Sequence, residues 1–320
     1  MDNNIKVSVI VITYNHEKFI KRALDSILIQ KVNFKYEIII GDDASTDKTP
    51  DILKEYKKMY PDIIKLHLNS VNLGATRNAY NLLMLAKGMY LATCEGDDYW
   101  IDKNKLQVQV DFLDSHEEYI GCCHKFKIVD EYGGEYEKWI RWIKFKPSFS
   151  LGDFNGLYLP SQPSTFVRRN IFKDKSFDYS FIYEINEMIC DRTLMLFFLT
   201  YGKFFLLKNK MSAYRICRKN KQSVTNRLYI SNRNYLENEY KYVDNLEKFG
   251  KSLLKNFTLR QRKIFLIFDY LFISLFTKYY SQFFSKKIEK IKNFDILINI
   301  LPYLCFRVKV LLFEKLKKRM

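Results

Sequence analysis

A doubly wound, parallel α/β sheet is the fold class that this sequence predicts, and three observations carry it. The runs VSVIVI at 7–12 and EIIIG at 37–41 are rich in β-branched residues and too short for interior helices. They read as strands buried on both faces. Between them Phe19, Ile20, Ala23, Leu24, Ile27 and Leu28 recur at helical spacing, giving a strand–helix–strand unit. The same alternation continues over about the first hundred residues.

The remaining elements follow in order. A helix fits Asp47 to Met59, with Thr46 or Asp47 as N-cap. Then come a strand at 63–68, a helix at 76–86 and a strand at 89–94. From Gly121 to Tyr214 the pattern is mixed, with short strands, an aromatic-rich loop (Trp139, Trp142, Phe145, Phe149) and a helix near 190–201. After Tyr214 the chain becomes helix-like, aromatic and basic, and no internal repeat or low-complexity linker appears.

Charge divides the chain of 320 residues unevenly. Residues 218–320 hold 23 Lys and Arg against 8 Asp and Glu, net +15, whereas residues 1–217 hold 30 against 28. The net charge of +17 therefore belongs to the tail, which points to an anionic partner there. With 48% hydrophobic residues and only 11 Gly and 6 Pro, the chain is neither collagen-like nor disordered. The start, MDNNIK, lacks the basic segment and long apolar stretch of a signal peptide, so the body is expected in the cytoplasm. The six cysteines show no metal-ligand spacing and read as small buried apolar residues; only Cys122-Cys123 followed by His124 stands apart.

In a doubly wound sheet, ligands bind beyond the carboxyl ends of the strands. Those ends carry Thr13-Tyr14-Asn15, Asp42-Asp43 and Glu95-Gly96-Asp97-Asp98. No GxGxxG follows the first strand, which disfavours a dinucleotide cofactor. Carboxylates in that place suit a nucleotide held through a divalent cation, because the cation neutralises a diphosphate that carboxylates alone would repel. Each acidic pair taken alone has a plainer reading as a turn or helix cap.

The ordered segments VSVIVITYNHEKFIKRALDSI, IIIGDDASTDKT, NLGATRN and LATCEGDDYW, with DKNKLQ just behind, resemble the successive motifs of family 2 glycosyltransferases of the GT-A fold. The likeness is to enzymes of bacterial cell-surface glycans and covers about residues 5–225, more loosely through PSTFVRR, CDRTLMLFFLTYGK and SAYR. It implies a glycosyltransferase domain over 1–225, with a nucleotide-sugar half (1–100) and an acceptor half (101–225), followed by a helical, basic tail over 226–320. The fold so implied is a Rossmann-like doubly wound mixed sheet with a C-terminal extension.

The resemblance also assigns roles. Thr13 and Tyr14 would contact the base and ribose of the donor, with Glu17 nearby, and Asp42 would accept the base imide N–H. Asn72, Gly74, Arg77 and Asn78 would line the diphosphate and sugar. Asp97 stands at the metal position of the DxD motif, for Mn²⁺ or Mg²⁺, with Gly96 and Asp98 beside it. Glu95 stands where the family more often has Asp. Asp191 matches the general base of an inverting displacement, with Glu184 and Glu187 as rivals in sequence. Trp100 either packs in the core or stacks on an acceptor sugar, and Arg215 either meets the leaving diphosphate or lies in a solvated basic loop.

The implied reaction moves a sugar from a UDP- or dTDP-linked donor to a glycan or lipid-linked acceptor in cell-surface polysaccharide synthesis. A non-catalytic sugar-nucleotide-binding or assembly subunit with the same fold is the alternative. In the tail, the apolar stretch 264–276 contains Asp269, and residues 296–313 contain Pro302, Arg307 and Lys309. Neither suits a spanning helix, for which about 20 mostly uncharged residues are needed. Both suit interfacial helices, and KKIEKIK at 286–292 and KLKKR at 315–319 would meet anionic lipid at the cytoplasmic membrane face. The competing reading packs these helices on the body. Nucleic acid is not expected, since no RNA-binding motif accompanies the aromatics.

Overall fold

The computed structural model describes residues 5–138, 140–174, 176–217, 234–276 (the backbone alone for 272–276), 287–288 and 302–304. The chain falls into two compact units, Met1–Arg227 and Leu228–Met320.

The first unit is built on a nine-stranded mixed sheet. Strands β1 (Val7–Thr13), β2 (Tyr36–Asp42), β3 (Ile64–Leu68) and β4 (Tyr90–Thr93) are parallel, and β5 is Tyr99–Trp100. The sheet continues through β6 (Tyr119–Val129), β7 (Ser148–Phe149), β8 (Val167–Arg169) and β9 (Lys203–Arg215). The order is β3-β2-β1-β4-β8-β6-β9-β5, with β7 on β9. The register pairs Thr13 with Asp42 and Ile10 with Thr93, so the first, second and fourth strands end close together.

Helices α1 (Ile20–Leu28), α2 (Thr49–Met59) and α3 (Ala75–Leu85) supply the crossovers, and α4 (Lys105–Ser115) follows β5. Helix α1 buries Ile20, Ala23, Leu24 and Ile27, the stripe read from the sequence, in one cluster with Val7, Val9, Val11, Ile38, Ile40 and Trp100. Helix α2 begins two residues later than expected. Pro50 occupies its first turn, where a missing N–H costs nothing. Asp47 still accepts the Thr49 N–H at 2.9 Å from outside the helix.

The second half of the sheet differs more from expectation. The short strands expected between 121 and 214 are present as β7 and β8, but they lie beside an 11-residue β6 and a 13-residue β9, which pair in parallel with shifts of register around Lys125. Helix α5 (Phe181–Glu184) precedes α6 (Asp191–Leu199), which falls inside the expected helix. The described cysteines Cys94, Cys122, Cys123, Cys190 and Cys217 are free thiols, and the first four are buried.

In the second unit, α7 (Tyr235–Leu253) is followed by α8 (Arg260–Phe276). Gly250 permits the close return between them, because a Cβ there would lie 2.1 Å from the Phe257 ring. Arg262 pairs with Glu239 at 3.1 Å, and Lys263 pairs with Asp244 at 3.0 Å and with Glu247. Ile264 and Phe268 are buried with Tyr303, whose hydroxyl meets Asp269 at 3.1 Å. The front of the 264–276 stretch is therefore covered in part within this unit. Among the described residues no helix is long and apolar enough to cross a membrane. The basic run 315–319, most of 286–292 and most of 296–313 lie outside the described residues.

Candidate active site

The strand order reverses between β1 and β4. The chain travels outward through β1, β2 and β3 and returns to place β4 on the other flank of β1. Such a switch point opens a crevice at the carboxyl ends of its strands. Here the two ends meet at Gly96, whose N–H donates to the Ile12 carbonyl at 3.0 Å. A Cβ at Gly96 would come within 2.8 Å of both Thr13 Oγ1 and His16 Nδ1. Both of these buried atoms lack a hydrogen-bond partner. The crevice floor thus holds two unsatisfied polar atoms, the arrangement expected where a ligand completes the bonding. Tyr14 is half-buried beside them.

At the end of β2 the two acids behave differently. Asp42 accepts from Ser45 N at 3.0 Å and Ser45 Oγ at 2.5 Å, and burial together with Asp47 and Asp43 raises its pKa against those bonds. Asp43 gathers the 69–74 loop, accepting from Leu73 N at 2.8 Å, Gly74 N at 2.9 Å and Asn69 Nδ2 at 3.0 Å. Gly74 has φ +86°, so its role is conformational. Asn72 donates to the Asp43 carbonyl at 3.1 Å. Arg77 is exposed, with its guanidinium 4.4 Å above the Tyr183 ring. Glu17 secures the start of α2 by accepting the Lys48 N–H at 3.0 Å.

The turn after β4 carries the other acids. Ser164 Oγ accepts the Glu95 N–H at 2.9 Å and donates to Asp98 Oδ2 at 2.7 Å. Asp98 Oδ1 accepts the Arg215 N–H at 2.9 Å. Asp98 is buried, and burial plus the neighbouring Asp97 push its pKa well up despite those two bonds. Burial also pushes Glu95 well up, followed by the charges of Asp98, Asp191 and Asp97. Asp97 is half-exposed and its side chain enters no hydrogen bond among the described residues.

Asp191 opens α6, distant in sequence from Glu95 but lining the same cavity of about 60 Å³. Burial raises its pKa, and the charges of Arg168 and Arg192 oppose the rise. Its rivals Glu184 and Glu187 are exposed, and neither lines that cavity.

Three of the named residues have their side chains engaged within the protein, and for Trp100 this is the first of the two readings left open by the sequence. Trp100 is 3% exposed, donates its Nε1–H to the Ser164 carbonyl at 3.0 Å and has Lys105 Nζ 4.0 Å from its ring. It belongs to the core, with no face for an acceptor sugar. Asn78 is buried and donates through Nδ2 to the Gly41 carbonyl at 2.9 Å. The Arg215 guanidinium is spent on the carbonyls of Asp97 and Asp130, each at 2.8 Å, and lies 4.5 Å above the Phe19 ring. It shapes the acidic turn. Ser164, His16 and Arg168 join the site without having been singled out from the sequence, and Asp43, named there only as half of an acidic strand end, organises the 69–74 loop.

Among the described residues no three His, Cys, Asp or Glu side chains converge to hold a metal ion by themselves. The donor set still fits Mg²⁺ or Mn²⁺ of the kind bound by one or two carboxylates plus substrate phosphates and water. Asp97 is the carboxylate without a hydrogen bond among the described residues that could ligate such an ion, and a cation nearby would offset the burial and like charge that raise Glu95 and Asp98.

Comparisons with known proteins bear on the family and the fold. The family model "Glycosyl transferase family 2" matches residues 8–175, just over half of the chain. An uncharacterized protein of Mycobacterium tuberculosis is 44% identical over 129 residues, 40% of this chain and 37% of its own length. A putative glycosyltransferase of Bacillus subtilis, EpsE, is 38% identical over 133 residues, 42% of this chain and 47% of its own. The poly(ribitol-phosphate) beta-N-acetylglucosaminyltransferase TarS of Staphylococcus aureus is 28% identical over 238 residues, 73% of this chain and 39% of its own. The chain thus spans less than half the length of these relatives. The crystal structure of TarS residues 1–349 with UDP-GlcNAc matches the fold with a TM-score of 0.56, at 19% identity over 83% of this chain and 73% of that one. With the acid-bearing strand ends at the switch point of a GT-A sheet and a family match spanning both acidic motifs, this chain belongs to glycosyl transferase family 2.

Proposed function

We propose that the protein is an inverting glycosyltransferase that moves a sugar from a UDP- or dTDP-linked donor to a glycan or lipid-linked acceptor of a cell-surface polysaccharide. The observation that carries this reading is the joining of Asp191 and Glu95 on one cavity at the switch point. A base and the donor-side acids, from opposite halves of the unit, are what in-line transfer requires.

In the proposed reaction Asp191 takes the proton of the acceptor hydroxyl as its oxygen attacks the anomeric carbon. The bond from that carbon to the diphosphate oxygen breaks, and its electron pair leaves with the nucleoside diphosphate. Thr13 and Tyr14 at the end of β1 and Asp42 at the end of β2 hold the base and ribose. Asp97, with substrate oxygens and water, would hold Mn²⁺ or Mg²⁺, which neutralises charge on the leaving diphosphate. The basic tail would keep the chain beside anionic lipid at the cytoplasmic membrane face, where a lipid-linked acceptor is available.

A screen of UDP- and dTDP-sugars with Mn²⁺ or Mg²⁺, read as nucleotide release and as product on acceptor, tests the reading. Acceptor-dependent release from at least one donor is expected, falling about 10²–10⁴-fold in Asp191→Asn. Turnover that survives Asp191→Asn would remove Asp191 as base. Binding of UDP without transfer from any donor would favour a non-catalytic subunit.

A further inference from the structure

Arg168 has no part in the scheme above, yet it is placed as an active-site group would be. It lies on β8, paired with Leu91 of β4 and Gly121 of β6, in the middle of the sheet. The residue is 7% exposed, and its buried Nε has no hydrogen-bond partner. Its guanidinium lies 4.8 Å above the Phe198 ring of α6, and the residue lines the cavity shared by Glu95, Cys190 and Asp191. A buried cation is costly unless a nearby anion compensates it. The Asp191 carboxylate, across that cavity, is such an anion.

We propose that Arg168 is a positioning residue of the transfer reaction, supplying across the cavity the positive charge that keeps the Asp191 carboxylate ionised and ready to accept a proton. This inference rests on Asp191 being the base.

The surroundings of Asp191 support the assignment. Glu95, from the turn after β4, presents like charge, and Tyr214 on β9 and Cys190 before α6 present ionisable groups that are neutral at pH 7. The adjacent α5 brings Tyr183 and the exposed Glu184. Arg192, next on α6, sends its Nη1 to the Gly156 carbonyl at 2.8 Å and adds a second favourable charge. Of the two cations, Arg168 has the larger influence on Asp191. Burial raises Asp191 above its ordinary value, and loss of this charge would raise it further, so that the base takes up its proton at higher pH than in the wild type. Activity would then fall earlier as pH is lowered.

The test is the pH profile of kcat/KM for Arg168→Met and Arg168→Gln, with melting temperature as a check on folding and Arg168→Lys as the charge-retaining control. The neutral variants are expected to move the acid limb up by about one pH unit and to lower kcat on that limb about tenfold, with donor KM little changed. Arg168→Lys should restore most of the wild-type profile. Acid limbs that coincide with wild type in either folded neutral variant would overturn the proposal, as would an Arg168→Lys profile no better than theirs. If Asp191→Asn retains turnover, the base assignment fails first. If it is inactive and the acid limb of the Arg168 variants stays in place, only the present inference fails.

Discussion

Two acidic strand ends in this molecule look alike as sequence and do opposite things as structure. After β2, the carboxylates of Asp42 and Asp43 take five hydrogen bonds from Ser45, Asn69, Leu73 and Gly74, two on Asp42, which keeps acceptor capacity, and three on Asp43. After β4, the turn is itself held in place, by Ser164 and by Arg215, and the Asp97 side chain remains available. One end spends carboxylates to build loops; the other spends loops to present a carboxylate. A pair of adjacent acids is thus not a functional signal until its hydrogen bonds have been traced.

Exchanging single atoms at the two ends should expose this division most strongly at Asp97. Asp97→Asn keeps shape but removes the hard anionic ligand. Metal-dependent transfer is expected to fall at least about 100-fold, or roughly 3 kcal/mol of transition-state stabilisation. The half-exposed side chain bonds nothing among the described residues, so thermal stability should stay within about 0.5 kcal/mol. Undiminished turnover with Mn²⁺ would remove Asp97 from the metal assignment, and a large loss of stability would erase the contrast between the two ends.

Asp43→Asn should show the complementary pattern. Three donors converge on this carboxylate, two of them backbone N–H groups. An amide offers one acceptor oxygen and turns its NH₂ toward at least one of those donors. Loss of about 2–3 kcal/mol is expected in denaturant unfolding, because buried donors are left unpaired and charge assistance is lost. Donor affinity would follow indirectly, as the 69–74 loop loosens. An unfolding midpoint equal to that of wild type would show that water replaces these bonds without cost.

How much of this was legible beforehand depends on where each residue's partner lies. Strands β1, β2 and β4 were readable because burial on both faces forces continuous β-branched runs, and α1 because its stripe faces the same core. Strands β6 and β9 were not. Val129 and Ala213 are buried while Lys208, Asn209 and Lys210 of β9 are exposed, so the pattern changes along a single strand and no fixed period survives. The site shows the same limit. The acids announced themselves by type and place, but Ser164 is one serine in a single-turn 3₁₀ segment, and its value comes from two partners some 66 and 69 residues away. Arg168 reads as surface charge in RR, and only the sheet reveals that one arginine of the pair points into a cavity.

The smallest contrast concerns the backbone at the same two crevice walls. Asn15, after β1, and Ala44, after β2, both have positive φ, 55° and 60°. Asn tolerates this region, and Asn15 is further repaid by accepting the Thr46 N–H at 2.8 Å through Oδ1. Ala44 has no side-chain bond to offset a conformation that costs an L-residue about 1 kcal/mol. Ala44→Gly should therefore stabilise the protein by about 0.5 kcal/mol after the added flexibility of the unfolded chain is subtracted, whereas Asn15→Gly should destabilise it by about 1 kcal/mol. Paired melting curves decide the matter. If both glycines stabilise, backbone conformation alone governs this rim, and the side chain of Asn15 contributes nothing to holding the β1 and β2 ends together.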